Sequence, residues 1–227
     1  MGGYNRVATP RAYVDLFGYW LTTGWCTASD ITVLDDDDGA VTFDSGSKES
    51  MFDLRPSNVA QIANTTQAFY IQLDTNMSTD TLAESSFLAI LNHNFKSATV
   101  QFKVEISDDA VVAHGSTNYG ERVSTTANHT KLVNAAAGVT NYITPAYNGW
   151  TLITWDTQTD NNRYIRITIE DTGGTTTNFA EDVFIGSIIY GEYFDFPNAP
   201  QLQLSTSVDY DGVKVFQSDG GGTFSNA

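Results

Sequence analysis

Three stretches of this chain alternate apolar and polar residues with a period of two. Phe69, Ile71 and Leu73 interleave with Tyr70, Gln72 and Asp74; Phe102, Val104 and Ile106 interleave with Gln101, Lys103 and Glu105; Ile165, Ile167 and Ile169 interleave with Tyr164, Arg166, Thr168 and Glu170. Successive side chains of a strand point to opposite faces, so each stretch predicts a strand with one face on a core and its polar face towards solvent. Further strand-like runs lie at 30–34, 39–43, 85–91, 150–155, 182–194 and 211–216, separated by turn clusters such as DDDDG, NHN, TDNN and DTGGTTTN. Helical periodicity is nearly absent. The best candidate is 11–24, where Ala12, Leu16 and Tyr19 or Trp20 share a side, Thr9 and Pro10 suit a start and Gly24 a stop, giving a short helix or a mixed arm. The expected architecture is therefore all-β: an antiparallel β-sandwich (jelly roll) over 29–196, with an N-terminal arm or short helix over 1–28 and an extended C-terminal segment over 197–227.

Charge narrows the partners. The 227 residues hold 11 Lys+Arg against 27 Asp+Glu, a formal charge of -16. Such a surface repels phosphates, which argues against nucleic acid and against electrostatic docking on anionic membranes. No window approaches the ~20 apolar residues a membrane helix needs, so membrane insertion is not expected. Cys26 is the single cysteine, so no internal disulfide can form.

Motifs of catalysis are missing. There is no nucleophile elbow, no phosphate-binding glycine loop and no dinucleotide fingerprint. His93, His114 and His129 do not fall at metal-ligand spacing. The run Asp35–Asp38 before Gly39 fails as an EF-hand, because Leu34 and Ser45 stand where ligands are required. An irregular calcium turn and a solvated hairpin loop are the two readings left for it. The chain is thus expected to be no enzyme and to need no cofactor, with a hydrolase built on acids paired in space as the remaining alternative. Tyr147, Trp150 and Trp155 are candidates for stacking on a glycan, with core filling as the competing reading. Arg166, opposite the isoleucines, can stack on Trp155 or clamp a carboxylate.

The segments FLAILNHNFKSATVQFKVEIS, NRYIRITIED and VFIGSIIYGEYF resemble the galactose-binding-like (discoidin-like) jelly-roll modules of tailed-phage virion proteins, over about residues 65–194. The resemblance implies about eight antiparallel strands and assigns His93, Asn94, Arg163, Tyr164 and Arg166 to the fold's signature, as structural residues. No sugar site is carried over from it. It implies a non-enzymatic structural protein of a bacteriophage virion, in the tail or baseplate, with other virion proteins as partners. Assembly into a homo-oligomeric ring would use aromatic and aliphatic residues of the two arms: Tyr13, Phe17 and Trp20 at one end, and Tyr210, Val213 and Phe216 at the other. The alternatives are a carbohydrate-binding module for host-surface glycans and a capsid decoration protein.

Overall fold

The computed structural model describes residues 10–63, 68–77, 85–107, 121–122, 129–133, 135–137, 142–158, 163–174, 177–197, 215–217 and 223–225. Along the chain run β1 (Arg11–Asp15), helix α1 (Leu16–Thr23), β2 (Ile31–Asp35), β3 (Phe43–Ser45), β4 (Ala60–Ile62), β5 (Ala68–Asp74), β6 (Ser85–His93), β7 (Val100–Ser107), β8 (Glu121–Arg122), β9 (His129–Val133), β10 (Ala135–Ala137), β11 (Ile143–Pro145), β12 (Gly149–Gln158), β13 (Tyr164–Asp171), β14 (Val183–Asp195), β15 (Val215–Gln217) and β16 (Thr223–Ser225). The described strands form two seven-stranded antiparallel sheets and a separate two-stranded one. The first large sheet has the order β3-β4-β14-β6-β12-β9, with β1 also on β14; the second has the order β10-β11-β7-β13-β5-β2, with β8 also on β7. This is the antiparallel sandwich that the alternation predicts.

Register turns the alternation into a core. Ile165, Ile167 and Ile169 of β13 lie opposite Leu73, Ile71 and Phe69 of β5 on one side and Ile106, Val104 and Phe102 of β7 on the other. In the facing sheet Leu88 of β6 lies between Ile153 of β12 and Tyr190 of β14. All of these are buried in one cluster, together with Phe95, Trp155, Ile185 and Ile188. Burial of such a side chain stabilises by ~1.5–3 kcal/mol, so the isoleucine row of β13 alone is a major contributor.

Two expectations need correcting. The polar face of the second sheet is not left to water: Tyr70, Gln72, Glu105, Arg166, Thr168 and Glu170 are each exposed by 7% or less. The Arg166 guanidinium lies 3.9 Å from the centre of the Tyr70 ring, and Lys103 Nζ is 3.3 Å from Glu105 Oε2. These side chains meet across β5, β13 and β7, where Arg166 lies opposite Gln72 and Glu105, and Thr168 lies opposite Tyr70 and Lys103. Arg166 accordingly stacks on Tyr70 and not on Trp155.

The second correction concerns the N-terminal arm. Arg11–Asp15 is strand and Leu16–Thr23 is helix, and from Ala12 on these residues fall in one compact unit with the sandwich. Asp15 caps α1 by accepting from the Gly18 amide (3.0 Å), and Gly24, at φ +78°, ends the helix in the left-handed region. Phe17 and Trp20 are buried in the core, where Phe17 packs edge-on against Phe52 at 5.2 Å. They are unavailable to a neighbouring subunit. Tyr13 packs on Phe87 of the same chain at 4.9 Å, although its ring stays part-exposed. Residues 12–28 therefore join the core that was expected to begin at 29.

Residues 1–11 and 195–227 cluster as a unit of their own. Within it Arg11 clamps Asp195 through two hydrogen bonds (2.7 and 2.9 Å), the Phe196 amide donates to Pro10 O (3.0 Å), and β15 pairs with β16. Tyr210 and Val213 lie outside the described residues, and Phe216 is described in its backbone pairing only, opposite Phe224.

Candidate functional site

One end of the sandwich carries the turns from β6 to β7, from β11 to β12 and from β13 to β14. The Asn148-Gly149 dipeptide makes the second of these, with Gly149 at φ +122°, beyond the reach of most side chains. Thr99 (φ 61°) bends the first, and Asn92 (φ 48°) marks an irregularity at the end of β6 that leads into it.

Polar side chains tie the three turns together. The Ser97 amide donates to Asn148 Oδ1 (3.0 Å), and Asn148 Nδ2 donates back to Ser97 Oγ (2.9 Å). Ser97 Oγ in turn donates to the Glu181 carboxylate. Asn94 Nδ2 donates to Glu181 Oε1 (3.0 Å) and to Asp182 O (2.7 Å), while Asn94 Oδ1 accepts from the Phe184 amide (2.9 Å). Beneath them His93 is buried against Phe95, their rings stacked at 4.4 Å. Its Nδ1 accepts from the Phe95 amide (3.3 Å), which puts the proton on Nε2, 3.0 Å from Thr151 Oγ1. Burial pushes its pKa down from 6.5 to about 4, so the ring is neutral at physiological pH.

This braced end presents two large aromatics. Tyr147 is 50% exposed and Trp150 is 42% exposed, three residues apart in the turn that enters β12. Lys96, Ser97, Asn148 and Glu181 are exposed on the same set of turns. Glu181 uses Oε1 for both its protein bonds, and Oε2 has no donor among the described residues.

The remaining sequence candidates separate from this site. Trp155 is fully buried, its Nε1 donating to Ser85 O (3.0 Å), so it fills the core and stacks on no ligand. Arg163 forms a two-pronged ion pair with Asp74 (2.6 and 2.7 Å) at the opposite end of the sandwich, with its guanidinium 5.2 Å from the Tyr164 ring. Asp35 Oδ1 accepts from the Asp37 and Gly39 amides (3.1 and 2.7 Å) within its own turn. No group of three or more metal-ligating side chains occurs among the described residues. Reading the sequence missed Ser97, Asn148 and Glu181; only the Asn-Gly turn signal pointed at their neighbourhood.

No protein-family model matches the sequence, and none of the curated proteins matches it. Among solved structures, the chain is similar to chitosan-binding module 1 of a chitosanase/glucanase from Paenibacillus sp. IK-5, with a TM-score of 0.43 and 12% identity over 70% of this chain and 92% of that one. It is also similar to a GH29 fucosidase of Ruminococcus gnavus, with a TM-score of 0.42 and 13% identity over 73% of this chain and 26% of that one. A third similar structure is a family 89 glycoside hydrolase from Clostridium perfringens, with a TM-score of 0.33 and 13% identity over 80% of this chain and 16% of that one.

Proposed function

We propose that the chain is a non-catalytic glycan-binding module whose site is the 146–150 turn with its bracing neighbours. The observation that carries this reading is the pair Tyr147 and Trp150, held half in water on a turn fixed by the Asn148–Ser97–Glu181–Asn94 network. A sugar ring offers C–H faces for an aromatic ring and hydroxyls for amides and carboxylates at its rim. Both kinds of group are present here, and the network means that little order is lost on binding. Glu181 Oε2, which has no donor among the described residues, is the acceptor offered to a hydroxyl or an ammonium.

Charge selects among glycans. A protein carrying -16 disfavours sulfated, phosphorylated or sialylated chains and favours neutral and amino-sugar chains. The sequence resemblance over 65–194 supports a setting on the surface of a tailed-phage virion, where such a module would hold the particle to its host. Assembly into a ring loses the support of Phe17 and Trp20, which the sandwich uses itself.

The test is a glycan array followed by titration calorimetry on each hit, with Tyr147→Ala and Trp150→Ala. Loss of one stacking ring is expected to weaken binding about tenfold, roughly 1.4 kcal/mol. Full affinity in the double variant, or no hit among neutral and amino-sugar glycans, would overturn the proposal.

A further inference from the structure

The opposite end of the sandwich holds a second constellation. Trp25 lies in the turn between α1 and Ala28, and the residue is 53% exposed although its indole Nε1 is anchored on Thr75 O (2.9 Å). A large apolar ring is therefore held in water in a fixed pose. Around it stand Asp74, Asn76 and Arg163. Asp74 Oδ1 accepts from Arg163 Nε (2.6 Å) and from the Asn76 amide (2.8 Å), and Asp74 Oδ2 accepts from Arg163 Nη2 (2.7 Å). Asn76 Oδ1 accepts from Arg163 Nη2 (3.3 Å), and Asn76 Nδ2 donates to Trp25 O (3.4 Å).

Two physical features point to a ligand. Asn76 sits at φ 55°, a conformation that costs a non-glycine residue energy and that its neighbours over-determine. The guanidinium spends Nε and Nη2 on protein acceptors, while the two N–H groups of Nη1 have none among the described residues. The side chain of Arg163 is nevertheless more than a third open to solvent.

We infer that this end is a second saccharide site, independent of the 146–150 turn. The sugar ring stacks on Trp25, and its hydroxyl or ring oxygens accept from Arg163 Nη1. Asp74 and Asn76 hold the guanidinium in one orientation, which is a positioning role. The two sites lie at opposite ends of the strands, because Tyr164 pairs with Asp74 and Ser107 at one end of β13 and Asp171 pairs with Val100 at the other. Across the eight residues of β13 that is roughly 25 Å. One module can then bridge two glycan chains or grip one long chain twice, which multiplies weak affinities.

The four tryptophans make the test direct. Each indole N–H gives its own cross-peak in a 1H–15N spectrum, assigned by single Trp→Phe variants. The probes are hexasaccharides of glucosamine, N-acetylglucosamine, β-1,4-glucose, xylose and mannose, each taken to about 20 mM, which reaches dissociation constants of about that concentration. The inference expects at least one probe to move the Trp25 indole and the Asn76 amide together. It also expects Trp25→Ala to abolish the Asn76 shift while the Trp150 indole keeps its dispersion as a check on folding. A Trp25 peak that stays still with every probe overturns this site, whatever Trp150 does. A Trp150 peak that stays still while Trp25 moves overturns the 146–150 site and leaves this one standing.

Discussion

Acidification should act on this fold through His93. In the unfolded chain an imidazole titrates near 6.5, whereas burial in the folded protein pushes this one down to about 4. Below 6.5 the unfolded state takes up a proton that the folded state refuses. Stability is therefore complete above that value and falls as pH drops through the window from 6.5 to about 4. The full difference is about 3 kcal/mol, of which about 2 kcal/mol appears between pH ~7 and pH ~5. The structural reason is specific: a proton on Nδ1 breaks the bond from the Phe95 amide and charges a ring stacked on Phe95. The assay is urea unfolding of the native protein and His93→Gln at both pH values. With a slope of about 2 kcal/mol per M, the native midpoint should fall by about 1 M more than that of the variant. Comparing the two removes the relief of self-repulsion that acid gives any protein with 27 acids and 11 bases, and it removes the other two histidines. Equal midpoint shifts in the two proteins would refute the reasoning.

Three further outcomes follow from burial and close approach. Trp155→Ala should cost about 3–5 kcal/mol, read as a large fall in thermal midpoint, because it empties a core position and orphans Ser85 O; a fall of a degree or two would contradict the core assignment. The Cys26 thiol, pushed up to about 12 first by burial and then by Asp30 and Asp74, should resist alkylation at neutral pH in the folded protein and react only once denaturant exposes it. Labelling at the rate of a free thiol would contradict this. Gly191→Ala should detach β1 or destabilise by about 2 kcal/mol or more, since the added Cβ would lie 2.0 Å from Val14 O; protection of the β1 amides from hydrogen exchange should fall, and unchanged protection would contradict the packing.

The long strands were legible in the sequence because their physics is local. The isoleucine row of β13 and its partners in β5 and β7 alternate without a break, and burial of one face leaves no other register. Three-residue strands such as β4 and β11 are too short to carry a period, and tertiary pairing alone creates them. The dry polar face of the second sheet was invisible for a different reason: Arg166 reads as solvent-facing until Tyr70 is known to lie beneath it. At the candidate site the same parity argument divides the tryptophans. Trp150 and Trp155 are an odd number of residues apart in β12, so one faces out and the other in. Only the outward one can meet a ligand. The bracing set Asn94, Ser97, Asn148 and Glu181 joins three distant turns, and no spacing in the sequence announces it. Phe17 and Trp20 look like arm residues because aromatics near a terminus suit either role, and only their burial decides between them.

The place of β14 in the first sheet has a consequence for synthesis. β6 pairs with β12 on one edge and with β14 on the other, and β1 also pairs with β14. While the ribosome is still making residues 100–182, the backbone edge of β6 that will meet β14 has no partner, and β1 has nowhere to dock. Contacts this distant along the chain make for slow closure, and an open edge beside Leu88 and Ile90 invites pairing with another nascent copy. Translation that stalls before Val183 would leave a sticky half-sandwich. The last sandwich strand thus acts as the bolt that shuts the sheet, and its arrival sets the moment at which the chain becomes safe from its own kind.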